Sequence, residues 1–426
     1  MGGRRPCAGR PPTGTYVIKL SLDFVRGQFP AFSEPSLRDW SNFDNAGESY
    51  ACRYVIWRLH RTYRERKVGP EGAFPASERA AEELHDARRR VALILGLGID
   101  EVAFGPSTAQ NAYVLAQAVR DWLRPGEAIV VTEQDHEAVG APFRRLAQAG
   151  IEIREWPMDR ASGHLSQAAL ERLLEDGKVR LVSFPHVSGV VGEINNVKRI
   201  CATVRRAGAF SVVDGVAAAP HGLPDIGALG ADAYLFSAAK AFGPHQGVMA
   251  LRQVFARRLP TQAANGASEK DWMRFTPAGL DHAQISACAG LADYIDTLYH
   301  HHDKSGRDAA GRAQAISKAM RAREANLMGP LLEYLVGNRH RVRLLGPAQA
   351  RARTPTFALD TGRPAAPLAR RLAEHGIMVG SGECHAPRPL RALGVPPERG
   401  VLRLSLLHYT SEEDVDRVIQ ALDAEL

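Results

Sequence analysis

From Glu101 to Leu251 the chain alternates short apolar runs with amphipathic stretches, and few architectures accommodate that pattern. The runs Glu101–Phe104, Ala128–Thr132, Ile151–Glu155, Val179–Phe184, Phe210–Asp214, Ala233–Phe236 and Val248–Leu251 have the length of strands. Between several of them, Ala109–Trp122, Ala138–Gln148, Leu165–Leu174 and Val197–Ala207 repeat apolar residues at helical spacing. Short apolar strands alternating with helices predict an α/β fold: a mostly parallel, seven-stranded sheet covered on both faces. In such sheets ligands collect beyond the carboxyl ends of the strands.

At 426 residues and 45% hydrophobic, the chain has material for a large core and more than one domain. Residues 1–14 are basic and rich in Gly and Pro, and read as a disordered tail. Residues 15–50 are expected to pack with a smaller domain, and 51–300 to form the large domain. Residues 301–426 form the smaller one, of α+β type, with a helical connector near 300–330. Its strands are expected at Val342–Leu345, Thr356–Asp360 and Val401–Leu406, and its helices at Ala366–His375 and Glu412–Leu426. A net charge of +7 without a long Lys/Arg block argues against a nucleic-acid partner. No run reaches membrane-spanning length, and the N-terminus lacks a secretory apolar segment. The five cysteines have no paired spacing, which suggests a reducing compartment, and a cytoplasmic protein is expected; no metal centre is expected.

The chemistry concentrates at strand ends. Lys240 follows Asp232-Ala-Tyr-Leu-Phe-Ser-Ala-Ala, and Asp214 closes Phe210-Ser-Val-Val-Asp214. A lysine amine can hold the aldehyde of pyridoxal phosphate (PLP) as a Schiff base, and a carboxylate can keep the pyridine nitrogen protonated. Only 8 lysines stand against 46 arginines, so candidates for the amine are few. Gly105-Pro-Ser-Thr-Ala-Gln-Asn111 links a strand to a helix, and Ser107 and Thr108 at a helix N-terminus suit a phosphate. They equally suit an ordinary helix cap. His136, just past another strand, could stack on a pyridine ring or merely cap a helix. Ser237, three residues before Lys240, is placed to reach a phosphate or simply to end its strand. Asp214 alone could cap a turn. Arg403 interrupts the apolar Val401-Leu-Arg-Leu-Ser-Leu; its guanidinium suits a substrate carboxylate or an edge facing water.

Four segments, in order, carry a likeness to a known family: His186-Val-Ser-Gly-Val-Val-Gly192, Val213-Asp-Gly-Val-Ala-Ala-Ala-Pro-His221, Lys240-Ala-Phe-Gly-Pro-His245 and Arg403-Leu-Ser-Leu-Leu-His-Tyr-Thr410. From Phe43-Asp-Asn-Ala-Gly47 to its end the chain resembles the fold-type I PLP enzymes of the class V aminotransferase group, closest to cysteine desulfurase-like proteins. The resemblance implies that Lys240 carries the imine, Asp214 pairs with the ring nitrogen and His136 stacks on the ring. It further implies that Ser107, Thr108 and Ser237 bind phosphate and that Arg403 holds an amino-acid carboxylate. A homodimer is implied, with Arg274-Phe-Thr-Pro-Ala-Gly-Leu-Asp-His282 offered to the neighbouring site.

The departures from that family bear on the reaction. Gly189 stands where relatives have Asn, Ala217 where desulfurases have Gln, and Ala239 where they have His. Gly279 replaces a Thr lent across the dimer. The persulfide cysteine position aligns with His385, leaving Cys384 one place off in Gly380-Ser-Gly-Glu-Cys-His-Ala386. Small groups around the cofactor leave room for a larger substrate, so the expectation is a C–S lyase-like or decarboxylating enzyme on an S-substituted cysteine, in secondary metabolism. A cysteine desulfurase, an aminotransferase or epimerase, and a PLP-binding protein without turnover are the alternatives.

Overall fold

The computed structural model describes residues 17–264, 273–277 and 279–426; the tail expected at 1–14 lies outside them. Among these residues twelve strands form two sheets. In chain order they are β1 (Ser41–Phe43), β2 (Val102–Gly105), β3 (Ala128–Thr132), β4 (Glu152–Trp156), β5 (Val179–Pro185), β6 (Phe210–Asp214), β7 (Ala233–Ser237), β8 (Gly247–Leu251), β9 (Arg343–Leu345), β10 (Thr356–Asp360), β11 (Ile377–Gly382) and β12 (Val401–Ser405).

The large sheet runs β2-β8-β7-β6-β5-β3-β4. The pairs β3–β4, β3–β5, β5–β6 and β6–β7 are parallel, and β8 alone runs against its neighbours β7 and β2. The continuous apolar runs resolve into two faces by simple alternation. Phe104, Val130, Val213, Tyr234 and Phe236 join one core with Val91 and Ile316. Ala103, Ile129, Val131, Val212 and Leu235 join a second core with Leu115, Val119 and Phe143. Each fully buried side chain of this size contributes about 1.5–3 kcal/mol, so a charge at Leu235 would break the sheet from within.

The small sheet runs β1-β11-β12-β10-β9. Two of its strands, β1 and β11, go beyond the strands read from sequence; β11 carries Gly380 and Gly382, which weaken its strand signal. β1 brings residues 41–43 into this sheet, parallel to β11, while Arg26 donates from Nε to the Tyr409 carbonyl (2.9 Å). The polar stretch near 300–330 is mainly one helix, Ala309–Gly337. Its first half buries Ile316 and Met320 in the large domain's core, and its second half buries Leu327, Leu331 and Leu335 in the small sheet's core.

Candidate active site

Because six of the seven strands point the same way, their carboxyl ends share one rim, and the amino end of β8 meets them there. A cleft of about 1070 Å³, open to solvent, lies over that rim. Ser107, Thr108, His136, Asp214, Ser237 and Lys240 line it from the large sheet, and Arg403 lines it from the small one. All seven residues singled out from the sequence therefore face one space.

Ser107 caps the helix Thr108–Trp122, its side chain accepting from Gln110 N (3.2 Å). Thr108 is 7% exposed, yet its hydroxyl has no hydrogen-bond partner among the described residues. Together with the free N–H groups of the first turn it forms a neutral cradle for an anion. Gly247 makes the cradle possible: a Cβ there would stand 2.4 Å from the Ser107 carbonyl carbon.

His136 also caps a helix, Glu137–Arg144, its Nδ1 accepting from Ala138 N (3.2 Å). That bond places the ring proton on Nε2. Burial, then the positive charge of Lys240, push its pKa down to about 3, so the imidazole is neutral. Asp214 accepts at Oδ1 from Val216 N (2.9 Å); burial raises its pKa to about 6 against the pull of that bond and of Lys240. A carboxylate buried this deeply calls for a cationic or N–H partner.

Lys240 ends the short turn Ala238–Lys240 after β7 and donates from Nζ to the Ala46 carbonyl (2.8 Å). Burial and Arg403 depress its pKa to about 8, outweighing Asp214, Asp44 and Glu48. Two residues on, Phe242 adopts a left-handed backbone (φ +69°), held by N–H donation to Ser49 Oγ (2.8 Å). A bulky residue in that region costs about 1–3 kcal/mol, which the surrounding contacts impose. Ser237 stands at the end of β7, on the rim three residues before Lys240.

Arg403 sits mid-strand in β12, paired in register with Ala358 and Gly380. Its Nη2 lies 3.5 Å from Asp44 Oδ1; both that oxygen and Arg403 Nε are buried without a hydrogen-bond partner among the described residues. The guanidinium is thus largely screened from water at the cleft and does not face water from an edge.

The replaced positions are also on the page. Gly189 and Ala217 line the cleft, and a Cβ built on Gly189 would meet nothing within 4 Å. Ala239 presents its carbonyl to Ser49 N and Oγ (3.3 and 3.1 Å). Gly279, in a left-handed conformation, lies with Pro106 and His245 on an adjoining cavity; Ala278 beside it is outside the described residues. Cys384 and His385 are both left-handed (φ +54° and +53°), and the His385 ring centroid lies 5.8 Å from that of His136. Burial pushes the Cys384 thiol up, only partly opposed by Arg403 and Lys240.

Several cleft residues carried no assigned role in the sequence. Ala46 contributes only a carbonyl, which no side-chain pattern announces. Gln134 is held by Asn195, which donates to its Oε1 (2.9 Å), and itself donates to Glu193 Oε2 (2.6 Å). His221 lies within a quoted motif, but its partner Glu324 is 103 residues away.

Comparison with known proteins agrees with this geometry. The family model described as Aminotransferase class-V matches residues 41–290 and 309–418. A cysteine desulfurase of Serratia proteamaculans is 28% identical over 425 residues, covering 95% of this chain and 98% of that one. The aminotransferase-like protein FGM3 of Gibberella zeae is 28% identical over 417 residues, with the same shares covered. Among solved structures, an apo cysteine desulfurase from Thermococcus onnurineus superposes with a TM-score of 0.81 at 23% identity, covering 94% of this chain and 97% of that one. The Escherichia coli cysteine desulfurase CsdA gives 0.78 at 22% identity, covering 95% and 98%. The chain belongs to the class V aminotransferase family, a family of PLP-dependent enzymes.

Proposed function

We propose that this protein binds PLP in the cleft and breaks a bond at the α- or β-carbon of a cysteine-derived amino acid bearing a substituent on sulfur, as an enzyme of secondary metabolism. The observation that carries the reading is room combined with an unreactive thiol. The wall at Gly189 and Ala217 is open, while burial holds Cys384 protonated. A persulfide-forming cysteine needs the opposite shift, toward thiolate.

The residues fit the cofactor. The unpartnered Thr108 hydroxyl and the helix N-terminus suit its phosphate, with Ser107 and Ser237 alongside. Asp214, buried and raised to about 6, suits the ring N–H, whose positive charge restores the carboxylate. Neutral His136 would stack on the ring. Bound there, the cofactor supplies an electron sink for negative charge developing at the substrate α-carbon.

Arg403 holds the substrate carboxylate through the guanidinium edge left without a hydrogen bond, which fixes the amino acid's orientation. Lys240 would be the residue that holds the aldehyde, and its amine, kept in useful part neutral by its low pKa, is the group placed to take the substrate's α-proton as a general base. The Ala46 carbonyl orients that amine. The functional unit is a homodimer, with the segment 274–282 near the neighbouring site.

The test is incubation of the holoenzyme with a panel of S-alkyl cysteines, reading thiol, pyruvate, aldehyde and ammonia. Turnover of the substituted substrates supports the proposal. Activity on free cysteine alone, with sulfide or persulfide formed, overturns it in favour of a second reading, cysteine desulfurase. That reading draws on the relatives' names and on Cys384, which lies close enough to Lys240 and Arg403 to feel their charges. Sulfide release abolished by Cys384→Ala would support it.

A further inference from the structure

One buried acid–base pair on the cleft wall has no part in the chemistry above. His221 ends the short turn Ala219–His221 beyond β6 and lines the cleft beside Pro220 and Ala217. Its Nδ1 lies 3.0 Å from Glu324 Oε2, on the helix Ala309–Gly337. The two residues are 4% and 1% exposed, and Glu324 Oε1 has no hydrogen-bond partner among the described residues.

The helix that carries Glu324 also pins the turn that carries His221. Arg321 donates to the His221 and Gly222 carbonyls (3.2 and 3.4 Å), and Ser317 Oγ donates to the Leu223 carbonyl (2.9 Å). Gly222, at φ +103°, permits this close approach, since a Cβ there would stand 2.7 Å from Ser317. Burying an imidazole against a carboxylate adds little stability over an apolar pair, so its place on a substrate cleft points to chemistry. A carboxylate at Nδ1 fixes the ring proton there and leaves a lone pair on Nε2. Among the described residues, Arg321 on the helix and the titratable His408 and Tyr409, from beyond β12, surround the pair.

We infer that His221 is a second proton-transfer residue of this cleft and that Glu324 is its positioning residue. The inference rests on the reading that an amino acid occupies the cleft. The substrate arrives as an ammonium ion, and its nitrogen becomes nucleophilic only after losing a proton. Nε2 accepts that proton: a substrate N–H bond breaks, its electron pair stays on nitrogen, and an imidazolium forms beside Glu324. As the substrate's Cβ–S bond breaks and its electron pair goes to sulfur, the same proton passes to the departing thiolate, giving a thiol and restoring neutral His221. No further reactant is consumed, and Lys240 remains free to work at the α-carbon.

The test joins a structural and a kinetic readout on Glu324→Gln, which keeps the shape but offers an N–H to Nδ1. Nitrogen-15 spectra of histidine-labelled full-length protein without cofactor should place the His221 proton on Nδ1 in the wild type and on Nε2 in the variant. In the holoenzyme kcat should fall by about 100-fold or more, the scale of general acid–base catalysis, with KM little changed. His221→Ala should lose similar activity and regain part of it with added imidazole. If the wild type cleaves no substituted cysteine, the same comparison is made on α-deuterium exchange of whichever amino acid perturbs the cofactor's absorbance. An unchanged tautomer, or unchanged kcat in E324Q, would overturn the inference. So would a His221→Ala holoenzyme that binds cofactor but is not rescued.

Discussion

The most exposed consequence of the site's electrostatics is the titration of the Lys240 amine in cofactor-free protein. Burial and Arg403 lower it from 10.5 to about 8. At pH 7.5 an ordinary lysine is neutral in roughly one molecule per thousand, against about a quarter at the lowered value, a gain of about 200-fold. Only the neutral amine attacks an aldehyde, so capture of PLP should rise with pH up to about 8 and then level. The assay mixes apoprotein with PLP and follows the visible absorbance of the adduct across pH, with a simple alkylamine as reference to cancel the cofactor's own titrations. Two substitutions should move the midpoint in opposite directions. Arg403→Met removes a cation and raises it, though not to 10.5, because burial is the larger cause. Asp214→Asn removes an anion and lowers it. A midpoint at the alkylamine's value, or both variants shifting the same way, would refute the reasoning.

Thr108→Val should leave the apoprotein as stable or more so, since it removes a buried unpartnered hydroxyl. PLP affinity, read by equilibrium titration, should fall by roughly 10- to 100-fold, the worth of a hydrogen bond to a charged group. A Cβ at Gly189 meets no neighbour, so Gly189→Asn should fold normally; it should raise KM for bulky S-substituted cysteines while sparing small ones, in a kinetic comparison across the series. Gly380→Ala puts a methyl 2.7 Å from Asp44 Oδ1 and 3.5 Å from Arg403 Nε. Overpacking of this kind costs about 1–3 kcal/mol, and amino-acid binding should weaken measurably in absorbance titrations.

The large sheet was legible because each of its strands except β4, which is polar and largely exposed, is a buried apolar run with polar or turn residues beside it. β3, β6 and β10 were read with the ends the structure gives them. β11 was not, for a physical reason: Gly380 makes room for Asp44 and Arg403, and Gly382 lies against Gly400, whose Cβ would stand 2.5 Å away. The glycines that admit Asp44, Arg403 and Gly400 so closely are the residues that erase the strand pattern. The helix read as Ala138–Gln148 turns at Arg144 into a tighter 3-10 segment, Arg145–Ala149, shortly after Pro142. Among site residues, Ser107 and His136 seemed to pose a choice between capping and chemistry. The structure has each doing its capping while facing the cleft, because a helix cap at a strand's carboxyl end already looks onto that rim. A bare carbonyl such as Ala46, or a contact as distant as His221–Glu324, leaves no trace in local spacing.

The 29-residue helix Ala309–Gly337 is rooted in two hydrophobic cores at once. It acts as a ridge beam: the sheets cannot swing apart about a loose tether without prising leucines from one core or Ile316 and Met320 from the other. Arg323 adds a rivet, donating to the His408 and Thr410 carbonyls (2.8 and 2.9 Å). The span between Arg403 on the small sheet and Lys240 on the large one is thereby fixed, with little left to hinge travel.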